Sequence, residues 1–223
     1  MSRKTGKPSY VRQAEQARAR RVPIAATVAG IVIAALAAGL VGFLIGRPDA
    51  TTRAIDDLKA QEAQRDRDQI RALTEVARGS QEKLTTLLTA YDAAVKGPPA
   101  DAATVADWQQ TLKALVAAHA DSPSGTTATN VARGGFRGAV ADFQVAVDLY
   151  AAAIAGPADR LPTLVAIAGR ARTAAATSWS VAAAQLDQIN VDAGLGHQHV
   201  YLQTEQGSGA FTPDGEEEGH TGG

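Results

Sequence analysis

The longest apolar run in the chain covers residues 22–46 and contains no charged side chain in 25 positions. A helix needs about 20 apolar residues to cross a bilayer core. Arg20 and Arg21 precede the run, and residues 1–21 carry seven basic groups against one acid. Because cationic flanks stay in the cytoplasm, the pattern predicts a single-pass plasma membrane protein with a cytoplasmic N-terminus and an extracytoplasmic bulk.

A cleaved signal peptide is the competing interpretation of this run. Signal peptides have an apolar region of about 7–15 residues that ends in a small-x-small cleavage site. Here the run is longer and ends in "FLIGRP", so the sequence favours an uncleaved signal anchor.

Small residues recur at every fourth position of the apolar run, and membrane helices associate closely along such ridges. The sequence therefore predicts contact with another membrane protein or with a second copy, although a segment rich in Ala and Gly also produces this pattern by chance. The small-residue ridge consists of Ala26, Gly30, Ala34, Ala38, Gly42 and Gly46.

Residues 47–70 are strongly polar, and "RDRD" at 65–68 alternates basic and acidic side chains. A helix that is polar on all sides buries little surface, so we expect a helical stalk. The mixed charges, on the extracytoplasmic side, argue against nucleic acid as a partner.

Apolar positions then recur at steps of three and four through residues 71–193, which predicts amphipathic helices. The clearest seam comprises Phe136, Val140, Phe143, Val147, Tyr150 and Ile154. Breaks occur at "KGPPAD" (96–101), "DSPSGTTATN" (121–130) and "GPAD" (156–159), and Asp101 can cap the helix that follows the first break. Four helices with short connections predict an all-α fold: an up-down-up-down four-helix bundle behind one N-terminal transmembrane helix.

Residues 194–223 contain five acids, no Lys or Arg, and many glycines. Such a composition is typical of a disordered tail. Although net charge is −1 overall, the two ends of the chain therefore carry opposite charge.

Enzyme motifs are poorly represented. Ser80 and Lys83 match the S-x-x-K motif of penicillin-recognising enzymes, and Lys4-Thr5-Gly6 matches their K-T-G motif. The predicted membrane lies between the two motifs, so they cannot share one site. The chain has no cysteine, which excludes disulfides and thiolate metal sites. His119 lies on the apolar side of its helix, where packing is the commoner role. We predict a protein that is not an enzyme.

The stretch "GLGHQHVYLQ" (194–203) is the one candidate metal site. In an extended chain His197 and His199 point the same way, roughly 6.6 Å apart, and Glu205 would share their face. Two imidazoles and a carboxylate can bind zinc, copper or nickel. The glycines argue against a preset geometry, so the sequence favours a loose segment over a docked apolar latch or a metal site. We expect no cofactor, and at most weak divalent metal binding.

Two functions remain open. The first is a non-enzymatic, membrane-anchored interaction, scaffold or accessory subunit of a bacterial cell-envelope complex. The second is an extracytoplasmic protein that binds a metal or small ligand through the bundle and the His197/His199 segment. The arrangement resembles extracytoplasmic four-helix sensor domains, but those return through a second membrane helix that is not predicted here.

Overall fold

The computed structural model describes residues 26–43, 46, 50–203, 209–211, 215 and 217–219. Within these ranges the chain forms five α-helices and no strand, which confirms the all-α prediction. The helices are α1 (Ala26–Phe43), α2 (Ala50–Lys96), α3 (Ala102–Ala118), α4 (Thr127–Ala155) and α5 (Leu161–Asp192). The chain divides into two compact units, Met1–Leu58 and Lys59–Gly223, and the basic leader (1–21) lies outside the described residues.

Helix α1 is a candidate membrane span of 18 residues, and every side chain on it is exposed. Its large exposed side chains include Ile31, Ile33, Leu36, Leu40 and Phe43. Water disfavours an apolar surface of this extent, whereas a bilayer solvates it. Helix α4 also has the length and composition of a span, but its aromatic side chains Phe136 and Phe143 are buried in the protein core.

The predicted stalk and the predicted first bundle helix form one continuous helix, α2. No proline interrupts residues 50–96, and charged and amide side chains four residues apart, such as Gln64 and Asp68, hydrogen-bond along its surface. The helix stops before Pro98 and Pro99, which have no backbone N–H to continue its hydrogen bonding. Two residues of the predicted stalk reach other elements: Gln69 Nε2 donates to Ser124 O in the α3–α4 connection at 2.7 Å, and Asp66 Oδ1 accepts from Thr129 Oγ1 in the first turn of α4 at 3.0 Å.

The helix starts follow from local capping. Asp101 caps α3 as predicted, because its Oδ1 accepts from Thr104 N at 2.7 Å. Thr126 caps α4 through a bond from Thr129 N at 3.3 Å. Helix α4 therefore begins at Thr127, and the prediction that the loop continues to Asn130 is wrong. Pro162 lies in the first turn of α5, where its missing N–H costs nothing.

Aromatic rings fill the core of the second unit where alanines leave space. Tyr91, Trp108 and Tyr150 form one cluster, with ring centroids 5.3–6.0 Å apart. Phe136 and Trp179 form another at 4.7 Å, edge to face. Such pairs add to the free energy of burial beyond the area that they remove from water.

Two polar contacts, the first partly buried and the second buried, connect α2 to α5. Arg172 Nη2 donates to Asp92 Oδ2 at 2.6 Å, and Asn190 Nδ2 donates to Thr74 Oγ1 at 3.0 Å. Because a buried polar group without its partner is costly, these contacts favour one register of the two helices over its neighbours.

Candidate metal centre

Residues 194–203, here called the C-terminal segment, pack against the helices of the second unit. Val200 and Leu202 are buried, and Trp179 Nε1 donates to the carbonyl of Val200 at 2.7 Å. Gln81 of α2 donates to the carbonyl of Tyr201 at 2.6 Å. The prediction of a disordered tail from Gly194 onward is therefore wrong for these residues.

The chain reverses at the end of α5 through two glycines in the left-handed region. Gly194 has φ +69° and Gly196 has φ +75°. Gly194 N donates to Val191 O at 2.9 Å and Leu195 N to Asn190 O at 2.8 Å, the Schellman pattern that satisfies the last helical carbonyls. The glycines that argued for a loose segment thus build a defined turn, because only glycine adopts this conformation without strain.

The turn brings both histidines back onto α5. His197, His199 and Asp187 each offer a ligand atom, and these atoms lie within 4.8 Å of one another. His197 Nδ1 lies 2.9 Å from Asp187 Oδ2, while Gln198 N donates to Asp187 Oδ1 at 2.6 Å. Both carboxylate oxygens of Asp187 therefore contact the C-terminal segment.

A carboxylate and two imidazoles suit a borderline divalent ion such as zinc, copper or nickel. In a tetrahedral zinc site with bonds of about 2.0–2.1 Å, neighbouring ligand atoms are roughly 3.4 Å apart. The contact between His197 Nδ1 and Asp187 Oδ2, at 2.9 Å, is already shorter than that spacing, and no pair of ligand atoms is more than 4.8 Å apart. With an ion bound, Asp187 would serve either as the third ligand or as the group that orients His197, an arrangement common beside metal-bound histidines.

His119 is not part of this cluster, and one candidate ligand from the sequence has no described position. Glu205 lies outside the described residues. His119 is buried beside Ser80, with Nε2 2.9 Å from Ser80 Oγ, and its ring stacks on Phe136. Burial lowers the pKa of His119 to about 4, and the nearby Arg137 acts in the same direction. This histidine is packed and neutral, as its position on an apolar helix side suggested.

The small-residue ridge lies on α1 and just beyond it. A Cβ built at Gly30 or Gly42 meets nothing within 4 Å. Gly46 N donates to Gly42 O at 2.8 Å, which continues the helical hydrogen bonding past Phe43. The ridge is therefore open to a neighbouring helix.

Asp187 is the site residue that sequence reasoning missed. It follows Ala183 by four positions and precedes Asn190 by three, and all three side chains are buried. A charged side chain on the buried side of a helix needs a hydrogen-bonding, charged or metal partner, so the position of Asp187 in the sequence was a signal that it has one. The partner's identity could not be predicted, since it depends on where the chain turns after α5.

Comparisons with protein-family models, with characterised proteins and with solved structures find no match to this chain. The case for a function therefore depends on the geometry of the site.

Proposed function

We propose that this protein is membrane-anchored and binds one divalent transition-metal ion outside the cytoplasm through Asp187, His197 and His199. The observation that carries the proposal is the convergence of these three ligand atoms within 4.8 Å. One ligand comes from α5 and two from the C-terminal segment, so an ion would bridge the helix and the segment that folds back on it. The role is binding, not catalysis.

The competing explanation is that Asp187 is only a structural clamp for the C-terminal segment. It would accept hydrogen bonds from Gln198 and His197 with no ion involved. The two explanations differ in one respect: a clamp gains no stability from added metal, whereas an ion that binds only the folded state raises its stability by mass action.

Calorimetry with zinc chloride on the full chain in detergent tests the proposal. We expect one ion per chain, a higher midpoint of thermal unfolding with zinc, and affinity that falls in acid, because a protonated imidazole cannot bind a metal ion. His199→Ala should remove the metal-dependent shift. Asp192→Asn, a carboxylate change five residues beyond Asp187 on α5, should retain it. Zinc that leaves the unfolding midpoint of the wild type unchanged would refute the metal site.

We also propose the topology of the whole chain: residues 22–46 as the anchor, residues 1–21 in the cytoplasm, and α2–α5 as an up-down-up-down bundle. The positive charges before the anchor support the orientation. Two contacts between α2 and α3 support the antiparallel order of the bundle. Tyr91, near the end of α2, contacts Trp108 in the first half of α3, whereas Ser80, earlier on α2, contacts His119 at the end of α3.

Protease added to spheroplasts tests this orientation. It should digest the bundle and spare the leader, and N-terminal sequencing should begin at Met1 or Ser2. A mature N-terminus near Asp49 would contradict the anchor.

A second role, as an accessory subunit of a cell-envelope complex, is supported by the open glycines on α1. If Gly42 packs against another membrane helix, Gly42→Ile should weaken association in a membrane two-hybrid assay. Leu40→Ile, off the ridge, is the matched control. Equal association by both variants would remove the support for this role.

A further inference from the structure

A cleft of about 180 Å³ opens between α2, the α3–α4 connection and the start of α4. Its apolar lining includes Ala72, Leu73 and Val76 on one side and Ala118 on the other. The guanidinium-bearing side chain of Arg133 also lines it. Apolar walls with few convergent polar groups are typical of small-molecule sites.

Arg133 is 6% exposed, and its hydrogen bonds all go to neutral oxygens. Nη1 donates to Pro123 O at 2.9 Å and to Asn130 Oδ1 at 2.6 Å, and Nη2 donates to Gln69 Oε1 at 3.0 Å. In the described part of the chain no carboxylate forms an ion pair with it. A buried cation without a counter-charge is uncommon, because desolvation is normally offset by an opposite charge.

The charges around Arg133 do not supply that counter-charge directly. Asp66 is occupied with Thr126 and Thr129, and Asp121 is exposed at the cleft. Burial lowers the pKa of Arg133, and the positive charge of Arg137 also lowers it. The negative charges of Asp66 and Asp121 raise the pKa of Arg133. A guanidinium nevertheless stays protonated at physiological pH, and three hydrogen bonds leave two of its five N–H donors for a ligand.

We propose that this cleft binds a small aliphatic carboxylate, whose charged group pairs with Arg133 and whose alkyl chain lies against Ala72, Leu73 and Val76. A planar guanidinium forms charge-assisted hydrogen bonds with carboxylate and phosphate alike, and the apolar wall favours the anion that carries an alkyl chain. His119, neutral in the cleft wall, adds no second cation. This site is separate from the Asp187 cluster, and neither proposal depends on the other.

Calorimetry on the full chain in zwitterionic nanodiscs tests the ligand chemistry with four probes: butyrate, 1-butanol, butylamine and inorganic phosphate. We expect one butyrate per chain, with 1-butanol and butylamine at least about tenfold weaker because they lack the charge-assisted bond. Phosphate, which has no apolar part, should also bind more weakly. Equal binding of 1-butanol and butyrate would mean an apolar cavity only, and no saturable binding of butyrate would refute the site.

The length of the alkyl chain separates a free short-chain acid from a fatty acid of the membrane. Each CH₂ buried in the cleft should increase affinity about fourfold. Acetate should therefore bind more weakly than butyrate, and the gain should stop once the cleft is full, so octanoate should bind no tighter than butyrate. Affinity that keeps rising to octanoate would overturn the short-chain assignment and indicate a lipid-derived ligand.

Two variants locate the site. Arg133→Gln should weaken butyrate binding by about tenfold or more. Because that change also disturbs the α3–α4 connection, Ala72→Phe provides a second test: Ala72 is exposed on the cleft wall, and a phenyl ring there fills the space. Ala90→Phe, equally exposed on α2 but outside this cleft, is the matched control and should bind normally. Unchanged butyrate binding in Ala72→Phe would refute the proposal.

Discussion

The indole Nε1–H of Trp179 donates to the carbonyl oxygen of Val200 across 2.7 Å, and both residues are fully buried. This bond joins the aromatic core of the helical unit to the C-terminal segment. Gln81 holds the next carbonyl, that of Tyr201, from a different helix. The segment that carries His197 and His199 is thus fixed from both α2 and α5 just beyond the two imidazoles.

Trp179→Phe should lower the free energy of unfolding by about 2–4 kcal/mol, because it leaves the buried Val200 carbonyl without a donor and removes packed ring atoms. Trp108→Phe should cost less, about 1 kcal/mol, because no hydrogen bond of its indole is present in the described part of the chain. Urea unfolding followed by circular dichroism measures both. Equal costs would mean that the Val200 bond contributes nothing. Both tryptophans are buried, so both should emit at short wavelength.

Phe143→Ala should cost about 3–5 kcal/mol, the usual range for a truncated core phenylalanine. Phe143 is 1% exposed in the middle of α4. Arg65→Ala, at an exposed position of α2, should change the free energy of unfolding by less than about 0.5 kcal/mol. The same urea titration compares them, and similar effects at both positions would contradict the burial pattern of the helices.

Three glycine substitutions should separate steric overlap from backbone strain. At Gly196 a Cβ would overlap the backbone of Gly219 in addition to facing a positive φ, so Gly196→Ala should be the most destabilising. Gly194→Ala meets no atom within 4 Å and should cost only the left-handed strain, about 1–2 kcal/mol. Gly79→Ala, in open space inside α2, should stabilise by about 0.5–1 kcal/mol. Thermal unfolding of the three variants gives the order, and a neutral Gly196→Ala would contradict the turn.

His119 should make the protein less stable in acid. Its pKa is about 4 in the folded state and about 6.5 when unfolded, so between these values only the unfolded chain takes up the proton. The destabilisation is absent above about pH 6.5, grows as pH falls, and levels off near pH 4 at about 3 kcal/mol. Urea unfolding at pH 7.0 and 4.5, without metal, should show a smaller drop in His119→Leu than in the wild type. An identical drop would mean that His119 does not titrate on unfolding.

The sequence by itself determined the elements that depend on local chemistry. Helical periodicity located α3, α4 and α5, Asp101 marked a cap, and "KGPPAD" marked a stop, because helix propensity, capping and chain breaks act within a few residues. The uncharged run at 22–46 indicated a candidate membrane helix for the same reason. Its length and composition are properties of one continuous segment, so no other part of the chain is needed to recognise them.

Only the tertiary structure decided which distant side chains meet. Asp187 and His197 come together because Gly194 and Gly196 reverse the chain, and the energy that holds the reversed segment comes from burying Val200 and bonding it to Trp179. A stretch of glycines has many accessible conformations, and its composition alone favours disorder. The surface it folds onto is built from helices far apart in sequence, and for that reason the candidate metal centre could not be completed from the sequence.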